Sequence, residues 1–97
     1  MVRVVKMQFE LNKVPDFLSL FEERKEKIRS FPGCSHLELW EENTGSGVFF
    51  TYSHWSSEED LENYRKSDFF KDTWSKTKSL FAAKAEAWSV HQRHILK

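Results

Sequence analysis

A chain of 97 residues is enough for one domain and not for two, yet nine Phe, four Trp and two Tyr are more ring surface than so small a monomer hides easily, which directs some of it at a partner or a ligand. Fifteen basic and fifteen acidic residues cancel, so no net field draws in phosphate backbones or anionic lipid, which argues against charge-driven nucleic-acid binding. With three Gly and two Pro, disorder and collagen-like structure are out of play.

Residues 2–11 alternate in part. Val5, Met7, Phe9 and Leu11 share one face, and Lys6, Gln8 and Glu10 the other, which predicts a half-buried strand. Pro15 and Asp16 open a helix, Pro standing in the first turn where its missing N–H costs nothing. Phe17, Leu20, Phe21, Arg24 and Ile28 follow at helical spacing, with Glu22, Glu23, Lys25, Glu26 and Lys27 on the wet side. Phe31-Pro32-Gly33 ends it.

A second strand is predicted over 35–41, with Leu37 and Leu39 facing one way and His36, Glu38 and Trp40 the other. The run 42–47 is a turn rich in residues that tolerate positive φ. The third strand, 48–55, is apolar on both faces, setting Val48, Phe50 and Tyr52 against Phe49 and Trp55, so something must cover its second face. Ser56-Ser57-Glu58-Glu59 reads as a capping box with Ser56 as cap and Glu59 reaching back. A short helix follows, turning Leu61 and Tyr64 inward. Ser67-Asp68 starts another, whose stripe is Phe70, Trp74, Thr77 and Phe81, widened by Leu80. Alternation over 87–95 predicts a last strand. The order is β-α-β-β-α-β with a broken second helical segment, the split βαβ arrangement of an α+β, ferredoxin-like sandwich with an antiparallel sheet.

Cys34 alone makes no intramolecular disulfide and fits a reducing compartment. No apolar run approaches the roughly eighteen residues of a membrane span, and the first residues carry no signal-peptide apolar segment, so a soluble cytoplasmic protein without membrane contact is expected.

Three runs resemble the antibiotic biosynthesis monooxygenase (ABM) superfamily. Pro32-Gly33-Cys34 leading into Leu37-Glu38-Leu39-Trp40 is similar to the start of the family's second strand. Phe50 through Leu61 resembles its strand-to-helix junction, a Trp, then a Ser/Glu-rich cap, then Leu. Ser67-Asp68-Phe69-Phe70-Lys71 resembles its S-x-x-F helix start. The resemblance implies that residues 1–97 form a single ABM-like domain and pair as a homodimer, a dimeric α/β barrel with sheets face to face, covering the outer face of the third strand.

The histidines do not form a metal site by spacing. His91 and His94 lie three apart on the predicted last strand and point to opposite faces, while His36 and His54 lie on different strands with no Cys/His cluster beside them. Cys34, entering a strand beside Gly33, reads as a buried filler rather than a nucleophile. No nucleophilic triad, phosphate loop or paired-carboxylate motif stands out.

In this fold a ligand enters between sheet and helices, in an apolar pocket with a few polar tips. Tyr64 and Trp74 project there from the two helical segments, with Asn63 beside the break. His54 and Trp55 end the strand that feeds the helix, and Met7, Phe9 and Phe70 supply apolar wall. Such a pocket suits a planar polyketide, a quinol or a similar small aromatic. Aromatic stripes at helical spacing also serve simply as core. The resemblance implies a cofactor-free oxygenase, with no metal and no flavin, in which Asn63, Tyr64 and Trp74 orient and stabilise the substrate and His54 serves as base.

The superfamily's haem-degrading branch is disfavoured. After the Phe70-Lys71 pair, the position expected to hold its axial His carries Trp74. Tyr64 replaces the short-helix Trp, and the first strand offers Met7 or Gln8 instead of Asn. The alternative from another class is a non-catalytic dimeric ligand-binding or stress-related domain. An RNA-recognition domain of the same topology lacks the basic and aromatic signature it needs.

Overall fold

The computed structural model describes residues 1–97. Strand β1 covers Val2–Phe9. It stops two residues short of the expected limit because Glu10 leads into a 3-10 turn, Leu11–Lys13, where Leu11 is 64% exposed instead of facing the core. Helix α1 spans Val14–Arg29, with Pro15 in its first turn and Lys27 and Arg29 in its last, where a cation favours the helix dipole. Strands β2, Cys34–Glu41, and β3, Val48–Trp55, form a hairpin. Helices α2, Glu58–Lys66, and α3, Asp68–Lys78, meet at Ser67. Strand β4, Phe81–Val90, closes the sheet.

The fold is the expected α+β, ferredoxin-like arrangement. The sheet runs β2-β3-β1-β4, and every neighbouring pair is antiparallel. β1 sits at its centre, with the helices on one face.

Three local expectations are corrected. Ser57, not Ser56, caps α2: its hydroxyl accepts from the Asp60 N–H at 3.1 Å. Ser56 instead ties back to the Gly33 carbonyl through its N–H at 2.8 Å, so a long-range contact takes the residue that local pattern assigned to the helix. α3 ends at Lys78, and Phe81 belongs to β4, paired with Phe9. β4 therefore begins six residues before the expected strand and ends five before its limit. Residues 91–97, His91 and His94 included, are exposed and belong to no regular element. Ala85, in the early half of β4 outside the expected strand, and Ala87, at the start of the expected strand, turn inward as small side chains that raise little hydrophobic alternation.

The core consists of two clusters. One gathers Met7, Phe9, Phe17 and Phe49; the other gathers Ile28, Cys34, Trp55, Leu61 and Tyr64. Gly33 sits between α1 and β2 at φ 91°, and a Cβ there would stand 2.4 Å from the Asp60 Cβ. Glycine is required twice over, for the left-handed backbone and for the approach of α2.

Candidate active site

Side chains of both core clusters border a cavity of about 300 Å³ between the inner sheet face and the helices. That is the small end of the range for ligand pockets. Its space has a local cause. Odd-numbered residues of β1 and β3 face the helices, and opposite them β4 presents Ala85 and Ala87 in place of large side chains. Arg65, whose side chain is 45% exposed, also lines the cavity, so the space reaches the surface beside α2.

One wall is a continuous run of rings. Trp55 stacks on Tyr64 at 5.0 Å between centroids, Tyr64 meets Phe70 edge-on at 5.0 Å, and Phe70 stacks on Trp74 at 5.9 Å. Ser67 places the break between the helices so that both can contribute. Its hydroxyl donates to the Tyr64 carbonyl at 2.6 Å and accepts from the Phe70 N–H at 3.1 Å, closing α2 and capping α3 at once. Arg24 pins α3 to α1 through Thr73 at 2.7 Å and Asp72 at 3.0 Å. That ion pair holds the Asp72 carboxyl below the usual carboxylate range, the Arg24 hydrogen bond being the larger cause and Lys76 the next.

The polar tips differ in availability. The Trp55 N–H is already given to the Ser53 hydroxyl at 3.0 Å. The Tyr64 hydroxyl and the Trp74 N–H have no hydrogen-bond partner within the chain, and no fully buried polar side-chain atom lacks one, so neither is sealed from solvent, and both belong to residues that line the cavity. Burial pushes the Tyr64 phenol well above the ordinary tyrosine range, with the nearby Cys34 sulfur a lesser cause. Tyr64 is therefore a protonated donor at any working pH. Burial also raises the Cys34 thiol, against smaller opposing effects of the His36 backbone and of Arg29, as suits a packed filler.

Of the residues expected from sequence, Met7, Trp55, Tyr64, Phe70 and Trp74 line the cavity together. Phe9 lies behind the wall, stacked on Phe17 at 4.1 Å and only 1% exposed. Asn63 is exposed on α2 and does not reach the cavity. His54 projects from the other face of the sheet, where its Nε2 is 2.7 Å from the Tyr52 hydroxyl. There it also stands beside His36, ring centroids 5.1 Å apart, because β2 and β3 pair these two residues directly. His36 in turn contacts Glu38, holding that carboxyl below its usual range, with the Trp40 N–H as the second cause. No three His, Cys, Asp or Glu side chains gather as a metal site.

Sequence reasoning missed Arg3 and Arg65, the two ionised side chains of the cavity lining. A signal existed for each. Arg3 stands on the same strand parity as Val5, Met7 and Phe9. Arg65 stands four residues after Leu61 and one after Tyr64, on the edge of the inward stripe of α2.

Fold and cavity together define a ferredoxin-like α+β domain with an aromatic-walled, ligand-sized space under its helices. The family model for antibiotic biosynthesis monooxygenase matches residues 1–75, and the chain belongs to that family. Solved structures agree in fold. A crystal structure of an antibiotic biosynthesis monooxygenase superposes with a TM-score of 0.86 at 17% identity, over 95% of this chain and 98% of that one. A conserved protein from Methanosarcina mazei Go1 gives 0.82 at 24% identity, over 89% and 86%. A protein from Mycobacterium tuberculosis gives 0.81 at 12% identity, over 96% and 97%. No curated protein matches the sequence. No helix is long and apolar enough to cross a membrane.

Proposed function

We propose that this chain is a cofactor-independent monooxygenase of a small aromatic, quinol or polyketide-like substrate held in the cavity. The observation that carries the reading is the pair of unshared donors, the Tyr64 O–H and the Trp74 N–H, set in a wall of rings beside an open space of about 300 Å³. Donors aimed at a substrate oxygen favour its anion, and the surrounding apolar wall strengthens them by excluding water. For a methylene activated by neighbouring phenol-bearing rings, loss of a proton gives an electron-rich carbanion that reacts with dioxygen. The substrate supplies four electrons; one oxygen atom stays as the new carbonyl and the other leaves with two hydrogens as water. Neither His54 nor Asn63 has a part in this scheme, and the proton leaves to solvent at the cavity's open side beside α2.

A second reading, a ligand-binding domain without catalysis, is favoured by one observation: no carboxylate or imidazole lines the cavity to take a proton. In either case the same reading includes a homodimer through the outer sheet face, where Trp40 and Trp88 are 40% and 44% exposed and Trp40 stacks on Tyr52 at 4.8 Å. A partner sheet would cover these rings.

Oxygen uptake with hydroquinones and anthrones separates the two readings. Catalysis predicts uptake that falls at least about tenfold in Trp74→Phe and Tyr64→Phe, as loss of a transition-state donor does, and that persists in the surface variant Lys66→Gln. Tight aromatic binding without uptake selects the second reading.

A further inference from the structure

The cavity's charged lining is of one sign. Its lining holds two ionised side chains, both guanidiniums, and no carboxylate. Arg3 reaches it from the inward parity of β1, where β3 and β4 place Ser53 and Ser89 on either side. It donates one hydrogen bond within the chain, to the Ser89 hydroxyl at 3.1 Å. A guanidinium carries five N–H donors, so most of Arg3's remain unused. Arg65 enters from α2, held by a single long contact of 3.4 Å to Glu62.

The surroundings of Arg3 disfavour its charge. Burial is the largest influence lowering the Arg3 pKa, and the like charge of Arg65 is the next; Glu58 and Glu62 offset part of it. Neither of those acids lines the cavity. A strand that turns an arginine inward towards a second arginine leaves room for one group that would relieve both the lost hydration and the repulsion, an anion between them.

We infer that the cavity takes a ligand with an apolar, ring-bearing body and an ionised carboxylate at its edge, the body against the wall from Trp55 to Trp74 and the carboxylate between Arg3 and Arg65. The inference rests on the proposal that the cavity is the ligand site, and adds the chemical class of what it holds. Arg3 and Arg65 act as specificity residues here. The Tyr64 hydroxyl, on the residue preceding Arg65, remains a neutral donor for an oxygen elsewhere on the ligand.

Isothermal titration calorimetry with matched probes tests this: 2-naphthoate, its neutral counterpart 2-naphthalenemethanol, and the cation 2-naphthylmethylammonium. The wild-type chain is expected to bind the carboxylate roughly tenfold or more tightly than the alcohol, the effect of one charge-assisted hydrogen bond, and the ammonium most weakly. Arg3→Gln and Arg65→Gln should each remove most of that preference while leaving alcohol binding intact, which also shows that the variants are folded. Lys66→Gln, an exposed cation outside the lining, should leave it unchanged. Equal binding of acid and alcohol, or a preference that survives both arginine variants, overturns the inference and leaves the cavity reading standing. If no probe binds, the cavity reading falls and the inference with it.

Discussion

Replacing Ala85 by Leu tests the cavity where β4 makes space for it. A dry, rigid void of about 300 Å³ would cost on the order of 7 kcal/mol at the rate found for buried cavities, comparable with the whole stability of a small domain. The space is therefore wet or occupied in solution, and filling part of it with carbon should be favourable. Ala85→Leu adds three carbon atoms, worth about 2.4 kcal/mol if fully buried, less roughly 0.5–1 kcal/mol of side-chain entropy. The net gain of about 1.5 kcal/mol corresponds to a rise in Tm of roughly 6–12 °C for a domain of this size. Circular-dichroism melting measures it, and titration with 2-naphthoate should show the affinity falling as the melting point rises. A drop in Tm would mean that the space beside Ala85 is already filled, since overpacking costs about 1–3 kcal/mol. A stabilised variant with unchanged naphthoate affinity would refute the placement of the ligand.

Three more outcomes follow from particular residues. Gly33→Ala should destabilise the fold by about 2 kcal/mol or more, from the left-handed backbone alone and further from the clash with Asp60; adding Asp60→Gly in urea titrations should recover the second part and not the first. The raised Tyr64 pKa is a linkage effect: its contribution to stability is complete below the unfolded phenol's value of about 10 and is lost as pH rises towards the folded-state value, because unfolding releases the proton. Chemical denaturation between pH 9 and 11.5 should show this loss, and Tyr64→Phe should flatten it; an unchanged slope would refute the burial argument. For the proposed dimer, Trp88→Asp on the outer face should shift sedimentation towards the monomer without changing naphthoate binding, whereas an unchanged sedimentation profile would place any self-association elsewhere.

Local periodicity alone determined much of this protein. Alternation in β1, the two-sided apolar run of β3, the stripe of α1, the Pro32-Gly33 stop and the cap at Ser67 each depend on neighbours within a turn or a strand, and each has its place in the structure. The same rule already separated His54 from Trp55, since adjacent strand residues point to opposite faces. It likewise turns Asn63 away from the face that carries Tyr64 along α2. What it misplaced was β4, whose first six residues do not read as strand because Ala85 faces inward without announcing an apolar face.

Only the tertiary structure decided that those alanines stand opposite an aromatic wall and leave a cavity. It alone brought Arg3 and Arg65, 62 residues apart, to the same lining and set His36 against His54 across a strand pair. The reason is physical. A side chain's face is set by the local backbone repeat, but the volume enclosed and the charges that meet across it depend on register and helix placement, which arise from packing between segments distant in the chain.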